Sequence, residues 1–258
     1  MVKFVANYIL SGNIRLLTGM HIGGIKETIE IGGTDSPVIY GLKKTSQGVE
    51  KVPIIPGSSL KGKIRSLLEM KYAQDLGDGV IQGGDKERKI MYPQEGLGSL
   101  IPVVFGLPAK LRGGFTRTRI IVRDSFPTEE TITKLWMNRP EVLHGVEVKG
   151  ENFINRITSR ATPRFLERIP AGSIFEFEAV LTIYNEDANK LSQMLKLILE
   201  GMKLLEDSYL GGHGSRGYGK IRFENIRVLK RPKEFYETGE GESKVFEKES
   251  VDAILKEL

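Results

Sequence analysis

The order of periodicities along this chain predicts an α+β fold, a ferredoxin-like (RRM-like) βαββαβ core with helices on one face of an antiparallel sheet. Three observations carry that prediction. Residues 3–17, 116–126, 173–184 and 219–229 read as strands, through alternation or β-branched and aromatic content. Residues 53–71 and 187–209 place apolar side chains at helical spacing. In chain order these six stretches run strand, helix, strand, strand, helix, strand. Insertions at 20–56, 75–115 and 127–170 interrupt them within a single domain, 1–258.

The first strand leads into LLTGMHIGG and a glycine-rich loop, where Gly32-Gly33 and Ser36-Pro37 bracket Thr34 and Asp35. Residues 45–52 read as a solvent-exposed turn. The helix IPGSSLKGKIRSLLEMKY follows. Ser58 or Ser59 is its candidate N-cap, Leu60, Ile64, Leu67 and Leu68 form its apolar stripe, and Lys61 and Arg65 share one face. Serines at a helix N-terminus make a natural phosphate seat, although a plain amphipathic helix reads equally well. Residues 75–115 are rich in Gly, Asp and Pro and read as irregular. In TRTRIIVRDSF the alternation sets Arg117, Arg119 and Arg123 on one side of a strand, which predicts a polar or ligand-facing surface. Between 127 and 170, Arg156, Arg160, Arg164 and Arg168 recur every fourth position. Pro163 and the Ser/Thr content argue against a helix there and for an extended basic arm or β-hairpin, suited to a nucleic-acid backbone. Residues 248–258 read as a short terminal helix or as disorder.

Charge and composition narrow the class. The chain has no cysteine, which excludes disulfides, thiolate zinc sites and cysteine nucleophiles and fits a cytoplasmic location. No apolar run is long enough to span a bilayer, and residues 1–17 lack a signal-peptide layout. Between 110 and 170 twelve Lys and Arg stand against seven Asp and Glu. From 233 onwards four stand against eight, so the tail carries −4 and the remainder about +9 of the net +5. Such asymmetry suggests a polyanionic partner for the body.

The stretch LGGHGSRGYGKIRF, residues 210–223, concentrates five glycines in nine positions among His213, Arg216, Tyr218 and Lys220. It reads either as a phosphate-cradling loop of bare N–H groups or as a helix C-cap turning into a strand. Its matches to a dinucleotide fingerprint and to a near P-loop are rejected. Both need a strand before and a helix after, the reverse of the order here, and Ile221 stands where a P-loop needs Ser or Thr.

Taken together, IGGTDSPV, IPGSSLKGKIRSLLE, TRTRIIVRDSF, RATPRFLERIPAGS and LGGHGSRGYGKI resemble the RAMP superfamily, in the family's order and over nearly the whole chain. Within it the likeness is to the target-RNA-cleaving backbone subunit of type III-A CRISPR (Csm) effector complexes. The resemblance implies a crRNA-binding subunit that assembles with other Csm subunits and with further copies of itself as a filament, without a membrane, and cuts the paired target RNA. Residues 20–56 would carry the catalytic loop or lid and 127–170 the thumb. Asp35 falls at the catalytic position, and His21, at a position the family presents to RNA, is the second catalytic candidate. Contacts to RNA are implied for Lys61, Arg65, Ser58, Ser59, Arg119 and Arg160, and for Gly212, Gly214, Arg216, Gly217 and Lys220 of the glycine loop. Asp35 would hold Mg²⁺ or another divalent cation weakly, with waters and RNA phosphates completing the shell, since one carboxylate cannot. On the residues alone Asp35 reads sooner as an Asx-turn residue before Ser-Pro, and the resemblance reverses that order. A non-catalytic crRNA-binding filament subunit is the rival from another class, and a metal-independent crRNA-processing nuclease a third reading.

Overall fold

The structure, a computed structural model, describes residues 1–23, 37–72, 92–106 and 117–258. Its strands are β1 (Phe4–Leu16), β2 (Tyr40–Thr45), β3 (Gly48–Pro53), β4 (Ile120–Val122), β5 (Glu147–Ile154), β6 (Ala161–Arg168), β7 (Ile174–Tyr184), β8 (Ile221–Pro232) and β9 (Ser243–Lys248). Its α-helices are α1 (Gly57–Tyr72), α2 (Ile101–Phe105), α3 (Leu191–Asp207), α4 (Phe235–Thr238) and α5 (Val251–Leu255).

Alternation in β1 sends Ala6, Tyr8, Leu10, Ile14 and Leu16 to one face and Asn7, Ser11, Asn13 and Arg15 to the other. β7 and β8 pair antiparallel on either side of β1, and β4 pairs antiparallel with β7. The spatial order is β4-β7-β1-β8-β9. With α1 between β1 and β4, and α3 between β7 and β8, the core strands realise the expected βαββαβ connection. Leu60, Ile64 and Leu68 of α1 join Met194, Leu195, Ile198, Met202 and Leu205 of α3 against Phe175, Phe177 and Phe223 of the sheet. Each such burial contributes about 2 kcal/mol, several times the differences in helix propensity between ordinary residues. The apolar stripes therefore decide where the helices lie. The opposite sheet face is polar and charge-paired: Arg15 with Glu224, Lys43 with Glu176, and Arg123 with Glu178. Among the described residues no helix is long and apolar enough to cross a membrane.

Several local expectations change. Residues 45–52 are not a bare turn but the tip and second strand of a β2–β3 hairpin. Its outer row, Leu42, Lys44, Val49 and Lys51, is exposed, so it lacks the apolar–polar alternation that marks a strand resting on a core. Within 75–115, the described part is not irregular throughout. Leu97–Leu100 and α2 are helical and bury Leu100, Ile101, Val104 and Phe105. The acidic tail is folded: β9 extends the sheet beside β8, and Val251 and Ile254 of α5 enter the core. The arm at 127–170 contains a helical turn, Thr131–Trp136, whose Trp136 Nε1 donates to Ser173 Oγ at 2.9 Å, and then the β5–β6 hairpin.

Two corrections bear on function. Arg119 is not ligand-facing. It is 3% exposed, and its guanidinium bonds Asp187 at 2.7 Å and Glu186 at 2.5 Å. Residues Asn185–Lys190, between β7 and α3, bring those two carboxylates to it. The N-terminus of α1 is not capped by Ser58 or Ser59 either. The helix starts at Gly57, whose N–H donates to Asp124 Oδ1 at 2.7 Å, and the N–H groups of Ser59 and Leu60 donate to Pro56 O. An acid from the strand connection thus occupies the positive helix end.

Removing one partner of a buried pair strands the other charge. Arg119→Ala is therefore expected to lower folding stability by about 3–5 kcal/mol. Arg123→Ala, which breaks only an exposed pair, should change it by less than about 1 kcal/mol. Urea unfolding of the two variants checks the contrast.

Candidate nucleic-acid interface

Beyond β1 the chain runs between two partners. Met20 exchanges backbone hydrogen bonds with Ile169, just past β6, at 2.9 and 2.7 Å. On the other side Gly212 N donates to His21 O at 2.8 Å and Gly219 N to Gly19 O at 2.9 Å. Gly23 then bridges to Val38, and Ile39 N donates to Ile22 O at 3.0 Å. The two stems of segment 24–36 are thus held side by side, where the glycine loop meets the base of the β5–β6 hairpin. Asp35 itself, with Glu27 and Glu30, lies outside the described residues.

His21 is enclosed at this junction, 4% exposed, with its ring 5.6 Å from that of His213. Its Nδ1 lies 2.7 Å from Glu167 O. A carbonyl only accepts, so Nδ1 carries the proton. The Glu167 carboxylate in turn accepts from Val38 N at 3.2 Å. His21 and Glu167 together tie the stems to the hairpin, and the enclosed ring is a poor place for a proton-transfer group that must reach RNA.

Five N–H groups of the glycine loop are engaged within the protein. Those of Gly212, Arg216, Gly217 and Gly219 all donate to backbone carbonyls, and that of Lys220 to Thr18 Oγ1. The glycines permit close approach. A Cβ at Gly211 (φ 83°) would stand 2.2 Å from His21 O, one at Gly219 (φ 74°) 2.0 Å from Leu210 O, and one at Gly214 would enter the Tyr209 ring. What the loop presents outward are the exposed side chains of Arg216 and Lys220.

The two cations of α1 are also partly engaged inside. Arg65 bonds Glu69 at 2.7 Å and Tyr92 OH at 2.8 Å. Lys61 Nζ donates to Ile120 O at 3.3 Å, and burial, then the neighbouring Arg65, holds its ammonium below the usual lysine range. Ser58 is exposed and Ser59 half-buried in the first turn. Arg160 and Arg156 are exposed at the hairpin tip, beside Ile157, which is almost fully exposed. Among the described residues no three His, Asp or Glu side chains converge as metal ligands.

Tyr218 and Glu151 were missed by motif reading. Tyr218 is 1% exposed, and its hydroxyl donates to Glu151 Oε1 at 2.7 Å. Lys149 Nζ and the Arg168 guanidinium lie over its ring at 4.6 and 5.4 Å, and Arg216 reaches Glu151 at 3.7 Å. Burial, then the bond to Glu151, pushes the phenol up to about 12, so it stays a donor at physiological pH. The available signal was the tyrosine inside the glycine run and the acids Glu151 and Glu167 inside an otherwise basic arm.

Burial, then Arg216 and His21, holds His213 below the usual 6.5. The folded state therefore resists its protonation more than the unfolded state does. The resulting stability is complete above about pH 6.5 and is lost as pH falls through the lower folded value. His213→Asn, which tolerates the left-handed backbone at φ 60°, should lose less thermal stability than the parent between pH 7 and pH 5, by calorimetry at both pH values.

The RAMP superfamily model matches residues 13–222. The chain is 44% identical to the CRISPR system Cms endoribonuclease Csm3 of Methanothermobacter thermautotrophicus, across 98% of each chain. It is 41% identical to the protein of the same name from Methanocaldococcus jannaschii, covering 97% of this chain and 92% of that one. Among solved structures it is similar to a chain of the Csm3–Csm4 subcomplex of the type III-A CRISPR-Cas interference complex, at 32% identity and a TM-score of 0.56 over 99% and 96% of the two chains. It is also similar to Methanopyrus kandleri Csm3, at 25% identity and a TM-score of 0.57 over 91% and 80%. This chain belongs to the RAMP superfamily and, within it, to the Csm3 family.

Proposed function

We propose that the chain is the crRNA-binding backbone subunit of a type III-A CRISPR effector complex, and that it cuts RNA paired to the guide in the cytoplasm as an endoribonuclease, with Asp35 as the essential carboxylate. The observation that carries this reading is the closed stem of segment 24–36, Gly23 against Val38, set between the glycine loop and the base of a basic hairpin. In sequence, Asp35, the one acid of IGGTDSPV, falls between those two stems. The relatives named endoribonuclease Csm3, matched along nearly their whole length, support the same reading.

The chemistry divides among three surfaces. Exposed cations (Arg156, Arg160, Arg216 and Lys220) hold the backbone of the RNA without reading its bases. The hairpin interrupts the guide–target duplex and exposes a phosphodiester. Cutting then needs a base for the 2′-OH or a water, and stabilisation of charge on the phosphorane. Asp35 serves as that base or as the protein's ligand for a divalent ion. The ion, when bound, supplies charge stabilisation, with waters and RNA oxygens as its other ligands. His21 and Glu167 keep the stems of segment 24–36 in place. The chain binds other Csm subunits and repeats as a filament along the guide.

Asp35→Ala should reduce target cutting by the assembled complex by a factor of about 10² or more while guide binding is unchanged. Undiminished cutting by this variant would overturn the assignment to Asp35, whereas a non-catalytic filament subunit would give no metal-dependent products in any assembly state. Arg156→Ala with Arg160→Ala should weaken guide binding and reduce the slope of log affinity against log salt by about 0.7 for each phosphate left unneutralised. Filter binding across a salt series measures that slope.

A further inference from the structure

The β5–β6 hairpin is a two-stranded sheet of its own, not hydrogen-bonded into the five-stranded sheet. A lone hairpin is only marginally stable in water, so its direction depends on what holds it. Backbone bonds at Met20 and Ile169 hold its base. Farther out, Glu151 sits opposite Arg164, past the middle of β5, and accepts the buried Tyr218 hydroxyl from the glycine loop at 2.7 Å. Beyond that point residues 161–163 of β6 are exposed, as are residues 154–160 of the tip.

We propose that Tyr218 is a positioning residue: its hydrogen bond to Glu151 latches the hairpin part-way along its length and so selects which phosphodiester reaches the cutting site. The proposal rests on the function proposed above. The lever arm gives the reason. Eight strand residues span about 27 Å, so a 10° swing about the base moves the far end by about 5 Å, more than the 3.4 Å step of one nucleotide in a duplex strand. Pivoting instead at the latch leaves about 10 Å of strand, and the same swing moves its end by about 2 Å, less than one step. The ring's surroundings suit a fixed point. Lys149 and Arg168 cover it, and Gly211 and Gly219 lock the loop carrying it against Gly19 and His21.

The test uses Tyr218→Phe, which keeps the ring and its cationic neighbours and removes only the hydroxyl, with Glu151→Gln, which keeps an acceptor oxygen, and Glu151→Ala, which does not. In the full-length chain, amide hydrogen exchange across 147–168 should quicken about tenfold in Tyr218→Phe and in Glu151→Ala. It should stay near parental in Glu151→Gln, and α3 and β1 should not change in any variant. In the assembled, guide-loaded complex Tyr218→Phe should cut at the usual phosphodiesters and at their neighbours, with guide occupancy unchanged. Unchanged exchange in the hairpin would overturn the latch, as would exchange that rises equally in α3 and β1. Sharp cut positions from a loosened hairpin would overturn its role in selecting the site. If Asp35→Ala cuts normally, the functional reading fails, and the exchange result still judges the latch separately.

Discussion

Two stretches of backbone in contact, with no side chain between them, hold the working parts of this molecule together. Residues 19–21 lie against the glycine loop through the Gly212–His21 and Gly219–Gly19 hydrogen bonds. At Gly211 the separation leaves no room for a Cβ, and at Gly219 the Leu210 carbonyl takes up that space. Because the same residues bond Ile169 on their other side, the loop, the hairpin base and the stems of segment 24–36 share one anchor. The sheet and its two long helices supply the rigidity behind that anchor: β1 ends where residues 19–21 begin, and β8 begins where the loop ends. Gly211 and Gly219 are thus needed for close packing of backbone, and the loop lifts the side chains of Arg216 and Lys220 outward.

The basic residues divide by environment. Arg119 neutralises two acids under the edge of the sheet, Arg65 and Lys61 lean on α1's neighbours, and Arg168 bonds Glu147 and covers Tyr218. An ion already paired and desolvated offers a polyanion little, since trading one partner for another leaves the first acid exposed to the phosphate. Arg156, Arg160 and Lys220 face water and keep their charge available. The exposed, unburied cations are in this way fewer than the count of cations implies, and those named here lie on the hairpin and the glycine loop. The open sheet face, with its ladder of paired charges, contributes little net attraction.

The order of elements, the two helical stripes and the strand alternation were legible from local sequence, because periods of 2 and 3.6 follow from each residue's own backbone geometry. The rejection of a nucleotide loop at residues 210–223 was legible for the same reason: a helix precedes it and a strand follows. So was an extended hairpin at Pro163 in place of the helix that arginines every fourth position imitate. What only the tertiary structure decided is which partner each polar group meets. Asp124 rather than Ser58 or Ser59 caps α1, Asp187 claims Arg119 across 68 positions, and Tyr218 finds Glu151 across 67. The acidic tail becomes a sheet edge only because β8 has a free side to offer. Such pairings have no local period. They depend on where distant elements come to rest once the apolar faces are buried, and burial then determines whether a cation serves the fold or the ligand.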